Sequence, residues 1–273
     1  MNRVVQLYYF CAMFFIDTHT HLYLNAFDED RHEAIMRALQ KGVQYLLLPN
    51  IDSTSVEPMH RLCYAYPGNC FPMMGLHPTS VKENWKEELQ IVEEYLSKGK
   101  YCAIGEVGLD FYWDMTFRKE QEEVFRRQAE LALAYNLPLV IHSRKSIDEI
   151  ILIIREMNEP GLRGVFHCFS GSLEQAQNII ALNFKLGIGG VITFKNSKLG
   201  KTIQAVGIKQ IVLETDSPFI SPVPYRGKRN ESAFVPLIAA HVAEVYGISA
   251  DRVAEITSET ALQLFNTLPG KIK

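Results

Sequence analysis

The chain has 273 residues, of which 47% are apolar and 22% are charged, a composition typical of a folded globular protein. Its formal net charge of −3 excludes a global electrostatic attraction to nucleic acid, so binding of a polyanion would need a local basic patch or bound cations. Five scattered cysteines without a C-x-x-C pair suggest neither a disulfide framework nor a zinc–thiolate cluster, and they favour a reducing, cytoplasmic location.

The N-terminal stretch MNRVVQLYYFCAMFFI is apolar and has the length of a signal peptide, but it lacks a small-residue cleavage site. It runs directly into a histidine motif that cleavage beyond the stretch would destroy. Met13 stands just before this motif, so we predict that residues 1–12 are a non-essential extension. No run elsewhere is long and apolar enough to span a membrane, and we expect no membrane partner.

Short apolar runs rich in β-branched and aromatic residues alternate along the chain with amphipathic stretches of helical periodicity. No linker rich in Pro, Gly or Ser interrupts the alternation, which predicts the α/β class and one closed (β/α)₈ TIM barrel over residues 1–273. An open doubly wound sheet is the alternative, although its first βα turn lacks G-x-G-x-x-G. The predicted strands are 14–18, 43–50, 71–75, 101–106, 138–142, 164–168, 184–190 and 211–215, and helical patterns cover 28–42, 86–100, 118–136, 148–157, 173–182 and 251–265.

Five of the 8 histidines lie at predicted strand ends, together with several carboxylates. A His-x-His pair such as THTH often arises by chance, so its meaning depends on the other polar residues. In a barrel the carboxyl ends of all strands meet on one face, where these side chains would converge. They are Asp17, His19, His21, His77, Glu106, His142, His167 and Asp216.

This set predicts a metal site. Residues i and i+2 of a strand point to the same side, so His19 and His21 can face one cation. Zinc or manganese accepts imidazole and carboxylate ligands together. Four histidines with Glu106 and Asp216 exceed the needs of one open site, so we predict two divalent cations bridged by Glu106, an arrangement suited to hydrolysing phosphate esters.

The chain resembles the TatD family of metal-dependent deoxyribonucleases, within the amidohydrolase-like TIM barrels, from about residue 14 to Phe265. The resemblance rests on IDTHTHL, GLHP, IGEVGLDFYW, QEEVFRRQAELALAYNLPLVIHSR, GVFHCFSG, LGIGGVITFK, LETDSPF and RGKRNES. It implies that His19, His21 and Asp216 hold one metal, that His142 and His167 hold the other, and that Glu106 bridges them. It also implies magnesium- or manganese-supported cleavage of DNA phosphodiesters, typically by 3′–5′ exonuclease action.

The chain departs from the family pattern at one loop, where Asn230, Glu231 and Ser232 stand in place of Asn-Glu-Pro. The missing proline removes a fixed φ, so we expect a less rigid loop there.

For the reaction, we expect Asp216 to act as general base toward the attacking water, beside the bridging Glu106. Asp17 and Asp110 are expected to orient metal-binding histidines, although Asp110 could instead cap the following helix. The triplet Phe111–Trp113 would offer stacking faces to bases if exposed, but such triplets more often pack in a core. Predicted substrate contacts, chosen because they follow strand ends, are His77, Arg144, Lys195, Arg226 and Arg229, whereas Lys228 is expected to be a solvated charge.

Two other functions stay open from the sequence. The same metal pair could serve an amidohydrolase or esterase acting on a non-DNA substrate, such as an aminoacyl-tRNA ester, which the negative net charge leaves possible. Alternatively, the protein could be a non-catalytic metal-binding scaffold, but a retired site would be expected to have lost some ligands, and all six are present. We expect DNA as the substrate and a monomeric protein.

Overall fold

The computed structural model describes residues 14–269, so the predicted extension at residues 1–12 lies outside the described residues. All eight predicted strands are present in the described part of the chain, and each pairs in parallel with its neighbour in sequence within two sheets, β1-β2-β3 and β4-β5-β6-β7-β8. The strands are β1 (Phe15–Asp17), β2 (Val43–Leu48), β3 (Cys70–Pro72), β4 (Ile104–Asp110), β5 (Leu139–Arg144), β6 (Gly164–Phe166), β7 (Phe184–Ile188) and β8 (Ile211–Leu213).

Backbone hydrogen bonds join the two sheets into a barrel. Between β3 and β4, a parallel bridge links Met74 to Ile104. Between β8 and β1, the amide of Thr18 donates to the carbonyl of Leu213 at 3.0 Å. Further along the same seam, the amide of Asp216 donates to the carbonyl of His19 at 2.9 Å. The (β/α)₈ TIM-barrel prediction is therefore confirmed, and the open doubly wound sheet is wrong.

Helices cover the outside of the barrel, and six of them coincide with the amphipathic stretches of the sequence. The periodic pattern does not reveal α2, which contains Pro58, the short α7, or α8, which is apolar on most of its surface. The helices are α1 (Arg31–Gln40), α2 (Ser53–Ala65), α3 (Trp85–Lys98), α4 (Arg118–Tyr135), α5 (Ile147–Met157), α6 (Leu173–Ala181), α7 (Leu199–Val206), α8 (Val235–Tyr246) and α9 (Ala250–Leu264).

The barrel interior is filled by side chains from the first halves of the strands. Ile16, Tyr45 and Val140 belong to one buried apolar cluster with Leu264 and Phe265 at the end of α9. The C-terminal helix thus closes the barrel at the amino ends of the strands. Polar side chains occupy the opposite end of the barrel, at the carboxyl ends of the strands, and form the candidate metal centre.

Among residues 14–269, no single helix is long and apolar enough to cross a membrane. One bent pair, Ser232–Tyr246 with Ala250–Leu264, passes that test by length and composition only.

Candidate metal centre

The six residues predicted as metal ligands lie together at the carboxyl end of the barrel, and all six are buried or nearly so. Glu106 and His142 were predicted to end their strands, and this is wrong, because β4 continues to Asp110 and β5 to Arg144. The last residues of β4 and β5 include polar residues of the site, so the apolar pattern that predicts a strand stops before the strand does. Both side chains nevertheless face the same site as the residues that follow β1, β6 and β8.

Glu106 stands at the middle of the site, and its two carboxylate oxygens face different histidines. Oε2 lies 3.2 Å from Nε2 of His19 and 3.5 Å from Nε2 of His21. Oε1 lies 2.8 Å from Nε2 of His167 and 3.0 Å from Nδ1 of His142. The site is therefore divided into two groups of nitrogen donors that share one carboxylate.

Asp216 belongs to the first group. Its Oδ1 lies 3.7 Å from Nε2 of His19 and 3.5 Å from Nε2 of His21. Asp216 also lies in the left-handed backbone region, with φ of 57°, which turns the chain sharply after β8.

The spacing of these donor atoms suits a divalent cation. Ligand atoms about 2.1 Å from a shared cation lie about 3.0–3.4 Å from one another in octahedral or tetrahedral geometry. The Nε2 atoms of His19 and His21 are 3.1 Å apart. Nε2 of His167 and Nδ1 of His142 are 3.4 Å apart. Imidazole nitrogen with carboxylate oxygen is also the donor set that borderline cations prefer.

Two buried nitrogen atoms lie on the ring edges opposite these donors. Within the described residues, Nδ1 of His19 and Nδ1 of His167 have no hydrogen-bond partner. The fit to a divalent metal therefore rests on the spacing of the donor atoms around Glu106 and on their chemistry, and not on these two nitrogens.

His77, which the sequence predicts to contact the substrate, lies in direct contact with two of the predicted metal ligands. Its Nε2 is 3.3 Å from Oε1 of Glu106, and its ring packs edge-on against His142 with centroids 4.5 Å apart. On the other side of the ring, Nδ1 accepts a hydrogen bond from the amide of Thr79 at 3.1 Å. Burial lowers the pKa of His77, so the ring is neutral at pH 7.

The buried carboxylate and the buried histidines of the site shift one another's pKa values. Burial alone would raise the pKa of Glu106, but the surrounding histidines His167, His77 and His19 hold it well below its usual value. Burial opposes protonation of His167, but the Glu106 carboxylate raises its pKa to about 9. Burial and the nearby His167 lower the pKa of His19 to about 4, so His19 presents an unprotonated ring.

Asp110 orients His142, as its position in the sequence predicts. Oδ2 of Asp110 lies 2.9 Å from Nε2 of His142, which fixes the ring with Nδ1 toward Glu106. The other oxygen, Oδ1, accepts hydrogen bonds from the amides of Tyr112 at 2.9 Å and Trp113 at 3.2 Å. The alternative role as a helix cap is wrong, because α4 begins only at Arg118.

Asp17 does not orient a histidine ring. Its carboxylate accepts hydrogen bonds from the amide of Thr215 at 2.9 Å and from the Thr215 hydroxyl at 2.6 Å. Burial raises its pKa to about 7 against the effect of these bonds. Asp17 therefore joins β1 to the segment that carries Asp216.

Glu214 is a further carboxylate of the site that the sequence patterns do not single out. It is fully buried, its Oε1 accepts a hydrogen bond from the amide of Cys168, and it lies 3.8 Å from Nδ1 of His167. Burial raises the pKa of Glu214 to about 8. The motif LETD contains this second carboxylate, but only the fold shows that it turns toward His167.

The predicted cationic substrate contacts occupy different settings. Arg144 is exposed and lies over the ring of Tyr112 at 4.0 Å, and Arg226 is exposed and lies over the ring of Phe194 at 3.8 Å. Lys195 and Lys228 are also exposed.

Arg229 has a setting that its place in the sequence did not predict. Its two terminal nitrogens pair with the carboxylate of Asp30 at 2.6 and 2.8 Å, and it lies over the ring of Phe27 at 4.3 Å. The guanidinium is thus engaged within the protein, so we leave Arg229 out of the substrate contacts proposed below.

The loop in which Ser232 replaces proline is held by side-chain hydrogen bonds. Asn230 is fully buried, and its amide nitrogen donates to the carbonyls of Thr215 at 2.7 Å and Phe219 at 2.6 Å. The Ser232 hydroxyl donates to that of Thr20 at 3.2 Å. These bonds hold the loop against the segment that carries Asp216 without the fixed φ of a proline.

Comparison with known proteins places these observations in a family. The profile described as "TatD related DNase" matches residues 16–266 of the chain. The "Uncharacterized metal-dependent hydrolase YabD" of Bacillus subtilis is 36% identical over 250 residues, which cover 91% of this chain and 98% of that protein.

Solved structures agree with this match. The crystal structure of YJJV, a TatD homolog from Escherichia coli K12, has a TM-score of 0.87 and 30% identity, covering 93% of this chain and 98% of that one. A hydrolase of the TatD family from Entamoeba histolytica shares the fold, with a TM-score of 0.81 at 21% identity, covering 93% of this chain and 98% of its own.

Proposed function

The chain belongs to the TatD-related DNase family of metal-dependent hydrolases, and from this premise we propose that it is a deoxyribonuclease that cleaves DNA phosphodiester bonds with two divalent cations. The proposed action is exonucleolytic, in the 3′–5′ direction. Magnesium or manganese is the proposed metal in activity, and zinc also suits a site this rich in imidazole.

One observation supports the two-cation proposal most directly. Each oxygen of Glu106 faces a different pair of histidines, which are His19 with His21 and His142 with His167. A carboxylate placed in this way can bridge two cations. In the proposed assignment Asp216 completes the group around His19 and His21, and His77 stands beside the other group.

The protein residues divide the remaining work among them. When bound, two cations would lower the pKa of a shared water and neutralise charge on the phosphate oxygens. Burial would raise the pKa of Asp216, but His21, His167 and His19 lower it, so the carboxylate is ionised at neutral pH and can accept the proton of the attacking water. Asp110 holds the His142 ring in place through Nε2.

Exposed cations at the mouth of the barrel would bind the phosphates that flank the cleaved bond. Arg144 follows His142 by two residues, and Arg226 and Lys195 extend from the loops after β8 and β7. All three are exposed, and Arg side chains bind phosphate oxygens through two parallel hydrogen bonds. His77 is proposed to contact the substrate from within the site.

The substrate class is tested by incubating the purified protein separately with Mg²⁺, Mn²⁺ and Zn²⁺. The substrates are single- and double-stranded DNA, RNA, a simple phosphodiester, an aminoacyl-tRNA ester and an amide. We expect DNA hydrolysis with Mg²⁺ or Mn²⁺. Turnover of an ester or amide without DNA cleavage by any metal form would overturn the proposal in favour of a different hydrolase.

The two-cation assignment is tested by Glu106→Gln, with metal content measured alongside hydrolysis. We expect bound metal to fall from two ions per chain and hydrolysis to be nearly abolished, because the shared ligand loses its charge. Glu123→Gln is the matched control, since Glu123 lies exposed on α4 and away from the site. Turnover of Glu106→Gln near that of the control would contradict the assignment.

A further inference from the structure

The ring of His21 contacts a buried tyrosine that has no part in the mechanism proposed above. Tyr23 follows the histidine by two residues and is 4% exposed. Its hydroxyl oxygen lies 2.9 Å from Nδ1 of His21 and 2.6 Å from the carbonyl oxygen of Pro49. The two rings meet edge to face, with centroids 5.8 Å apart.

The hydrogen of the Tyr23 hydroxyl determines which nitrogen of His21 carries hydrogen. A tyrosine hydroxyl has one hydrogen to donate, and a carbonyl oxygen can only accept. The hydroxyl therefore donates to Pro49, and toward His21 its oxygen is an acceptor. The opposite arrangement would leave two oxygen atoms 2.6 Å apart without a hydrogen between them. Nδ1 of His21 is thus the donor, which leaves the lone pair of a neutral ring on Nε2.

Nε2 is the nitrogen of His21 that faces the metal centre. It lies 3.1 Å from Nε2 of His19, 3.5 Å from Oε2 of Glu106 and 3.5 Å from Oδ1 of Asp216. A ring nitrogen binds a cation through its lone pair, and the hydrogen bond at the other nitrogen sets which tautomer is present. The bond to Tyr23 therefore selects the tautomer that this group of ligands needs.

The fold holds Tyr23 from two sides. Arg31, in the first turn of α1, donates from Nε to the carbonyl of Leu22 at 2.9 Å. Its Nη2 donates to the carbonyls of Tyr23 and Leu24 at 3.1 Å each. Pro49 directly follows β2, which pairs with β1. The backbone of the tyrosine is thus fixed by α1, and its hydroxyl is fixed by the end of the neighbouring strand.

The second group of ligands has a support of another kind. There Asp110 faces Nε2 of His142, and the ring turns Nδ1 toward Glu106. Among residues 14–269, Nδ1 of His19 and Nδ1 of His167 have no hydrogen-bond partner. Each group therefore contains one histidine whose far nitrogen is hydrogen-bonded to a side chain and one whose far nitrogen is not.

We propose that Tyr23 is a positioning residue of the metal centre, whose hydroxyl keeps hydrogen on Nδ1 of His21 and Nε2 available to the cation shared with His19 and Asp216. A phenol hydroxyl does here what a carboxylate does for His142. Because it is uncharged, it fixes the ring without adding negative charge beside Asp216. This inference rests on the two-cation centre of the proposed function and not on the identity of the substrate.

The tautomer can be read directly by NMR of protein labelled with nitrogen-15 in histidine and loaded with zinc. Long-range proton–nitrogen spectra show which ring nitrogen carries hydrogen. Nuclear Overhauser effects to the ring of residue 23 identify the signals of His21. We expect hydrogen on Nδ1 and none on Nε2, and we expect Tyr23→Phe to move the Nδ1 proton resonance upfield, because its acceptor is lost.

Metal titration gives a second readout. Tyr23→Phe keeps the ring and removes the hydroxyl, so we expect one of the two sites to weaken by about 10- to 100-fold, the usual effect of losing a partner of a metal-binding histidine. Tyr45→Phe is the matched control. Tyr45 is 1% exposed, lies in the apolar cluster at the amino ends of the strands, and donates its hydroxyl to the carbonyl of Pro269 at 3.3 Å. This variant should leave both sites unchanged.

The second group provides an internal reference. Because Asp110 supports His142, Tyr23→Phe and Asp110→Asn should weaken different sites, and the double variant should weaken both. A purely structural role for Tyr23 would loosen the whole centre. Equal weakening of both sites by Tyr23→Phe alone would therefore overturn the proposal.

The possible results separate this inference from the proposed function. If the protein binds two ions but Tyr23→Phe equals Tyr45→Phe, or if Nε2 of His21 carries hydrogen, the role of Tyr23 is overturned and the two-cation centre stands. Hydrogen on Nδ1 and one weakened site, without DNA cleavage by the unchanged protein, support the role and overturn the nuclease. A protein that binds no metal overturns both.

Discussion

Gly187 lacks a side chain at the point where the carboxylate of Glu214 lies, and a Cβ at residue 187 would collide with both carboxylate oxygens. Gly187 is on β7 and Glu214 follows β8, so the two neighbouring strands fit around this buried acid. The glycine is required here by close approach and not by backbone conformation.

We therefore expect Gly187→Ala to lower the free energy of unfolding by about 1–3 kcal/mol, the usual effect of an extra group in a packed interior. In a protein that already carries Glu214→Ala, Gly187→Ala should lower the free energy of unfolding by less, because the carboxylate is gone. Denaturant unfolding of the four proteins measures the coupling. Gly189→Ala is the control, since its Cβ would lie 3.6 Å from the nearest atom of Glu214, and equal costs for the two alanines would contradict the prediction.

Asp110→Asn should weaken metal binding at one of the two groups. The asparagine has one acceptor oxygen, for which the His142 ring and the amides of Tyr112 and Trp113 would compete, and weakening of such a partner typically lowers metal affinity about 10- to 100-fold. Metal titration should show one weakened site and one unchanged site, because His19 and His21 do not contact Asp110. Asp114→Asn, the same change on a neighbouring exposed residue paired with Lys82, should leave both sites intact.

Metal binding should release protons at pH 7.5. In the metal-free protein the Glu106 carboxylate raises the pKa of His167 to about 9, against the effect of burial, so the ring is protonated and must lose its proton to bind a cation. Apparent metal affinity should rise with pH up to about 9. Calorimetry in buffers of different ionisation enthalpy measures the proton count, and identical heats in all buffers would contradict it.

The raised pKa of His167 also predicts how the stability of the metal-free protein changes with pH. A histidine with a raised pKa stabilises the folded state below its ordinary pKa of 6.5, and this stabilisation disappears as pH rises to about 9. We expect the Tm of the metal-free protein to fall over this range and the Tm of the metal-loaded protein to change less. A metal-free Tm that rises with pH would contradict this.

Asn230→Ala should lower the free energy of unfolding by about 2 kcal/mol, because one buried and one partly buried carbonyl lose their donor. The carbonyls belong to Thr215 and Phe219, on either side of Asp216, so kcat should fall as well. Asn196→Ala is the control, since Asn196 is exposed. Thermal unfolding with an unchanged Tm for Asn230→Ala would show that the loop is held by other contacts.

Arg229→Met should change mainly the stability of the protein, whereas Arg226→Met should change mainly its KM for DNA. Arg229 is paired with Asp30, so its loss should lower stability by about 1 kcal/mol with little change in KM. Arg226 is exposed in the loop after β8 and is proposed to bind phosphate, so its loss should raise KM for DNA and leave Tm unchanged. A raised KM for Arg229→Met would restore it as a substrate contact.

The order of elements could be predicted from the sequence because each βα unit carries its own local signal. The convergence of His19, His142 and Asp216 then follows from one geometric rule, since all parallel strands of a barrel end on the same face.

Other features depend on long-range packing that no local pattern encodes. Arg229 reaches Asp30 across 199 residues of sequence, so its engagement could not be read from its loop. The role of Glu214 depends on space left by Gly187 and on the amide of Cys168. The ends of β4 and β5 were missed because residues selected for chemistry replace the apolar signal there.

The seam between β8 and β1 runs directly through the metal centre, where the amide of Asp216 binds the carbonyl of His19. The first and last strands of the barrel must meet before these two side chains come together. A chain still emerging from the ribosome therefore has histidines but no assembled site. Synthesis has to pass β8 before Asp216 is present, so a shorter nascent chain cannot complete the group of donors around His19 and His21.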